Sequence, residues 1–274
     1  MKRLLIAGFG DIARRALPAL ARRYQVTRLS RQHGIDLDRP LESRTADAVL
    51  HCAPPPASGD ADPRTANLLA SLNGVRRVAY ISTSGVYGDC AGARVDETRP
   101  PAPQTERARR RLHAEIQLAQ WAGDRGVDLV VLRVPGIYAA ERLPLERLRA
   151  ATPVLRSEDD VYTNHIHADD LAAIVCRALD DEAPAGVYNA SDDTEMKMGD
   201  WFDLVADGHS LPRPPRISGE LAPGRIPAAL LSFMQESRRL DNTRLKSVLG
   251  VRLLYPTVHE GLRNEHAARL DQPA

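Results

Sequence analysis

Cysteine, lysine and aromatic residues are all scarce in this chain of 274 residues. The three cysteines, Cys52, Cys90 and Cys176, stand far apart. Their number and spacing exclude a disulfide framework and a cysteine-ligated zinc cluster, so no metal is expected. They suit a reducing compartment, and a cytoplasmic location is expected. Lysine occurs only at positions 2, 197 and 246 among 37 basic residues, a bacterial-type skew towards arginine. An excess of one charge is also missing: 37 basic against 36 acidic residues leave a net charge of +1. Proteins that coat nucleic acid or anionic membranes carry more bias than that, so neither partner is expected. No apolar run approaches the roughly 20 residues that span a bilayer. The first residues imitate a secretory signal only until Asp11, Arg14 and Arg15 break the apolar stretch. With 43% hydrophobic and 27% charged residues, the chain has the composition of a globular protein. Its length buries a full core without staples.

What is present alternates strand and helix. Residues 4–7, 25–29, 47–52, 78–82, 127–134 and 186–190 read as strands. Between them, 11–23, 63–73, 105–122 and 168–181 read as helices. Pro18 is expected to kink the first helix, because it has no N–H for the carbonyl of Arg14. Gly74 and Gly250 read as helix stops. The alternation predicts an α/β fold, a Rossmann-type doubly wound parallel sheet with a smaller C-terminal substrate lobe. Residues 1–137 plus 166–190 are expected to form the dinucleotide-binding part. Residues 138–165 plus 191–274 are expected to form the lobe. Five prolines between 208 and 227 predict a long loop there, followed by helices over 228–239 and 242–249.

Gly8-Phe9-Gly10-Asp11-Ile12-Ala13 is a G-x-G-x-x-A sequence between a predicted strand and a predicted helix. Gly8 permits the tight turn, Gly10 lets a pyrophosphate approach the backbone, and Ala13 lets helix and strand pack closely. The N–H groups around Asp11 and Ile12 then face the phosphates. The bland alternative is a structural βα turn with no ligand. Where an acidic residue for the ribose of NAD is expected, the second strand ends on Leu29-Ser30-Arg31. Arg31 matches a 2′-phosphate, so NADP is expected over NAD, with NAD possible. A solvated loop arginine is the alternative.

Ile81-Ser82-Thr83-Ser84-Gly85-Val86-Tyr87-Gly88 resembles the end-of-strand segment of extended short-chain dehydrogenase/reductases, the group of the NAD-dependent epimerases and dehydratases. Residues 47–53, 133–138 and 164–171 resemble further segments of that family in the same order, and 237–249 resembles its C-terminal lobe. The resemblance implies cofactor contacts at Ala53 and Pro54 on the adenosine side and at Val134 and Pro135 beside the nicotinamide. It makes Thr83 the Ser/Thr that bonds the reacting hydroxyl of a substrate.

It also implies a Tyr-x-x-x-Lys pair on the next helix, in which tyrosine moves the proton and lysine lowers its pKa. None of the seven tyrosines is followed by lysine four residues on, so the pair is absent. Anchored on Ala114-Glu115, the resemblance puts Arg107 in the tyrosine's place and Arg111 in the lysine's. Tyr87, Tyr138 and His113 are the candidates for another acid or base. His165 and His167 suit an extended segment. The run Arg107, Arg109, Arg110, Arg111 reads equally as an anionic substrate site or as a solvated helix face.

Two functions remain. One is an NAD(P)(H)-binding oxidoreductase or epimerase/dehydratase-like protein acting on a small polar, anionic substrate. The other is a non-catalytic NADP-binding sensor or regulatory protein. A monomer or a homodimer fits either.

Overall fold

The computed structural model describes residues 1–263. Six strands form one parallel sheet: β1 (Lys2–Ala7), β2 (Tyr24–Leu29), β3 (Ala48–His51), β4 (Arg77–Thr83), β5 (Asp128–Val134) and β6 (Gly186–Asn189). Their spatial order is β2-β1-β3-β4-β5-β6, so the chain runs outward from β1 in both directions. Side chains alternate across this sheet as the period of two requires. Leu4 and Ile6, Ala48 and Leu50, Ala79 and Ile81, Val130 and Leu132 pack into one core. Leu5 and Ala7, Val49, Val78 and Tyr80, and Val131 pack into another. Both faces are buried, which is why these strands are apolar nearly throughout.

Helices cover each face. The first core is closed by α1 (Asp11–Leu20) and α4 (Ala168–Ala178), the second by α2 (Pro63–Ser71) and α3 (Glu106–Arg125). The second pair begins on readable caps. Asp62 accepts from the N–H groups of Arg64 and Thr65 with Pro63 in the first turn, and Thr105 accepts from the N–H of Ala108. Gly126, in left-handed geometry, ends α3. α1 continues through Pro18 and stops at Leu20. The predicted helix over 63–73 ends earlier, because Leu72–Asn73 pairs as a short strand with Arg44–Thr45.

The C-terminal part differs most from expectation. A helix not anticipated from the sequence, α5 (Met198–Gly208), supplies Trp201, Phe202 and Val205 to a third core. The proline-rich stretch holds the short strand Arg216–Ile217, parallel to Val154–Leu155. The helix predicted over 228–239 lasts only from Ala228 to Leu231. Beyond it, Glu236 and Arg238 turn inward to pair, and Arg239–Leu240 pairs with Arg94–Val95. These tertiary partners outweigh the modest helical preference of the stretch. The predicted helix 242–249 is one short helix, Thr243–Ser247. The part of the expected lobe beyond residue 263 lies outside the described residues.

Candidate functional site

At the C-terminal ends of the strands, β1 and β3 part company, and the chain leaves them for opposite sides of the sheet. That divergence is where open α/β sheets form a crevice. Gly8 follows β1 there with φ +86°, and its N–H donates to the carbonyl of Leu29 at 2.9 Å. A Cβ on Gly8 would lie 2.4 Å from the backbone nitrogen of Ala53. The glycine is therefore required by the close approach of two strand ends, as well as by its backbone conformation. Gly10 is the opposite case: nothing lies within 4 Å of where its Cβ would be.

Gly10 also caps α1 without a side chain, so no side chain satisfies the first N–H groups of that helix. Ile12 and Ala13 are buried beneath them. The Asp11 carboxylate turns aside to Arg15 at 3.1 Å and Arg142 at 3.3 Å. Arg15 further pairs with Asp169 and Glu141. A glycine held against a strand end, open space at Gly10 and an uncapped helix N-terminus together fit a dinucleotide pyrophosphate.

The end of β2 leads into a turn where Ser30 Oγ and His33 Nδ1 are 2.7 Å apart. Arg31 is exposed in that turn and makes no ion pair among the described residues, while Arg28 lies 4.6 Å over the ring of Phe9. His33 meets the same ring edge-on at 5.5 Å. Arg28 and His33 were not anticipated; only the turn brings them beside Arg31 and Phe9. Pro54 is braced by Arg64, whose Nη1 donates to its carbonyl at 2.9 Å while Nε and Nη2 grip the two oxygens of Asp38.

The four arginines in the first two turns of α3 go to four places. Arg109 reaches outward to Asp60, and Arg110 is buried against the carbonyl of Gly59. Arg111 turns to the strand ends and donates to the carbonyls of Ile81 at 3.0 Å and Ala53 at 3.4 Å and to the Tyr80 hydroxyl at 3.3 Å. None of its partners is a carboxylate. Burial, with Arg111 nearby, pushes the His51 imidazole down to about 3. Arg107 lies 4.1 Å over the exposed ring of Phe233. A buried pair anchors the same helix: Glu115 accepts from Arg133 at 2.8 Å and from the Ser82 hydroxyl. Arg133 in turn lies over the ring of Tyr87, whose hydroxyl donates to Asn189 at 2.8 Å.

A cavity of about 430 Å³ opens between the sheet and the C-terminal part. Thr83, Arg107, Pro135 and Tyr138 line it, as do Trp201 and Arg238. Thr83 Oγ1 accepts from the N–H of Gly85 at 3.2 Å and caps the turn that follows β4. Val134 is buried at the end of β5, one residue before Pro135. Tyr87 is buried and bonded to Asn189, so it packs in the turn and does not face the cavity. His113 also lies elsewhere, accepting from Gln117 at 2.6 Å and from the Asp62 N–H.

His165 and His167 form the short strand His165–His167, parallel to Gly136–Tyr138. His165 lines the cavity, 4.4 Å from Trp201. Burial pushes its pKa down to about 3, and Nδ1 has no hydrogen-bond partner. No group of three or more metal-ligating residues occurs among the described residues, and no described helix is long and apolar enough to cross a membrane.

A conserved protein of unknown function from Silicibacter pomeroyi is 30% identical, with a TM-score of 0.81 over 98% of this chain and 99% of that one. The UDP-glucose 4-epimerase of Thermotoga maritima, solved with UDP-glucose, is 16% identical with a TM-score of 0.73 over 98% and 100% of the chains. RMD from Pseudomonas aeruginosa, solved with NADPH, is 21% identical with a TM-score of 0.72 over 97% and 99%. No curated protein matches the chain. The model of the NAD-dependent epimerase/dehydratase family matches residues 12–191. With that match over about two thirds of the chain, including five of the six sheet strands, the chain belongs to the NAD-dependent epimerase/dehydratase family.

Proposed function

We propose that the protein is an NADP(H)-dependent oxidoreductase or epimerase-like enzyme acting on a small, anionic substrate. The observation that carries this reading is the open, uncapped turn at Gly10, set beside a β2 end that offers Ser30 and Arg31 and no carboxylate. Gly8, Gly10, Asp11 and Ile12 would hold the pyrophosphate, Arg31 the 2′-phosphate, Ala53 and Pro54 the adenosine side, and Val134 and Pro135 the nicotinamide side. The dinucleotide supplies hydride transfer when bound.

The chain's own residues do the rest. Thr83 uses one lone pair on Gly85 and keeps its O–H to donate to a substrate oxygen. Arg111 places a fixed positive charge near the strand ends. Residues 138–165 and the described residues from 191 onwards would form the substrate side of the cavity. RMD, which shares the fold, was solved with NADPH, in line with this choice of cofactor.

Calorimetric titration of ligand-free protein tests the reading. NADPH is expected to bind at least tenfold more tightly than NADH, and Arg31→Ala to remove most of that difference. Equal affinities, or a preference for NADH, would sink the Arg31 assignment. No binding of either would leave a protein without the cofactor. The second reading, a non-catalytic NADP-binding sensor, is favoured by one observation: α3 carries Arg107 at the cavity and has no tyrosine there. Tight NADPH binding without oxidation across carbonyl and sugar-nucleotide substrates would select it.

A further inference from the structure

The cavity beside Thr83 is cationic at its rim and aromatic in its walls. Its lining carries four arginines, Arg107, Arg142, Arg147 and Arg238, against one acid, Glu236. Two are compensated, Arg142 by Asp11 at 3.3 Å and Arg238 by Glu236 at 3.0 Å. Arg107 and Arg147 make no ion pair among the described residues. Unpaired cations in a concave site raise the local concentration of anions, and a planar guanidinium matches a carboxylate in two-point geometry.

Arg107 is held for that task by stacking on Phe233, which is 47% exposed. Phe202, Trp201 and Tyr162 continue the aromatic surface into the cavity. Two buried polar atoms in its walls lack partners, Glu236 Oε1 and His165 Nδ1. Glu236 also acts on Arg107 through its charge. Buried groups of this kind are normally satisfied, so a ligand that carries a polar group besides its anionic end fits them. Asn164, the amide in the lining, holds the backbone of the cavity wall. Its nitrogen donates to the carbonyl of Arg238 at 2.9 Å, and its oxygen accepts from the N–H of Leu240 at 2.8 Å.

We propose that this cavity takes a small aromatic carboxylic acid bearing a hydroxyl or carbonyl group, with the carboxylate on Arg107 and the ring among Phe233, Trp201 and Phe202. This names the substrate class of the proposed oxidoreductase and rests on that reading for its redox role. It departs from the UDP-glucose seen with the Thermotoga maritima epimerase. In this arrangement Arg107 binds the substrate where a tyrosine would have exchanged a proton with it.

The chain has two tryptophans, Trp121 on α3 and Trp201 in the cavity wall. Full-length protein carrying Trp121→Phe therefore reports ligands through Trp201 alone. We expect 4-hydroxybenzoate to quench this emission saturably and its neutral analogue 4-hydroxybenzamide to bind at least tenfold more weakly. Adding Arg107→Met should weaken 4-hydroxybenzoate at least tenfold, with circular dichroism confirming the fold. Equal binding of acid and amide, unchanged affinity in the Arg107→Met protein, or tighter binding of UDP-glucose than of the acid overturns the proposal. The comparison of acid and amide decides the matter even if the second variant misfolds. NADPH titration of the same protein separates the two claims. Acid binding without NADPH binding overturns the oxidoreductase reading and keeps the ligand class; NADPH binding without a response to the acid does the reverse.

Discussion

Single residues set the cofactor crevice and its sensitivity. Gly8 is the tightest point, since its φ is positive and any Cβ meets the backbone of Ala53. Gly8→Ala should cost about 2–4 kcal/mol of stability, from backbone strain and displaced strand ends, measured by urea unfolding. It should also abolish detectable NADPH binding. A Gly10→Ala protein meets no neighbour and should stay as stable as the parent within about 0.5 kcal/mol, while losing NADPH affinity. If both variants lost only stability, the turn would not be a binding feature.

Asp192 is a second such residue. Its carboxyl is buried, with Thr194 N–H on one oxygen and no partner on the other, and burial pushes its pKa up to about 8. Asp193 and Asp170 add repulsion. Between the unfolded value near 4 and about 8, the folded protein holds a proton that the unfolded chain has released. Stability from this group is therefore full below about pH 4 and falls as the pH rises towards 8. Asp192→Asn should flatten that slope, so that the variant gains on the parent as the pH rises from 5 to 8. Thermal melting across that range checks it, and parallel curves for the two proteins would refute the assignment.

At the scale of one element, α3 shows how a uniform run of arginines divides into unlike tasks. A helix turns 100° per residue, so Arg107, Arg109, Arg110 and Arg111 cannot share a face. Arg109 pairs with the exposed Asp60, and such surface pairs contribute about 0–1 kcal/mol. Arg110 is 6% exposed and bonds the Gly59 carbonyl, so its loss leaves that carbonyl and a packed stem unsupported. Arg109→Ala should therefore change stability by less than about 1 kcal/mol and Arg110→Ala by about 2–3 kcal/mol. Denaturant titration ranks the two, and equal losses would contradict this division. Arg109 meets the reading of the run as a solvated face, and Arg107, which lines the cavity, is the residue on which the substrate-site proposal rests. Spacing alone showed that the four diverge, but not which one each neighbour would receive.

At the scale of the whole molecule, the sheet and the C-terminal part are stitched together at several points. Asn189 on β6 donates to the carbonyls of Val95 and Asp241, Arg238 reaches the carbonyl of Gly88, and Tyr138 meets Trp201 edge-on at 5.6 Å. Of these contacts, Asn189 with Asp241 and Arg238 with Gly88 cross the expected boundary between the two parts of the chain. Unfolding should be a single cooperative transition, with Trp121 in the Trp201→Phe protein and Trp201 in the Trp121→Phe protein reporting the same midpoint. Separate midpoints would show two independently folding units, as the interleaved division taken from the sequence allows.

The sequence by itself determined the sheet and the turn that follows its first strand. Apolar runs buried on both faces leave little freedom in where a parallel strand lies, and a glycine pair between strand and helix is a local signal. It also determined that no Tyr-x-x-x-Lys pair exists, since that is a matter of spacing alone. The cavity was decided only by tertiary structure. Phe233 follows a helix that ends at Leu231, short of the expected 239, and Trp201 sits on a helix that the sequence reading did not anticipate. His165 becomes a buried, neutral group only because Trp201 and Tyr138 close over it. Local periodicity reports which residues share a face of one element. It carries no record of which distant elements meet, and the cavity is built entirely from such meetings.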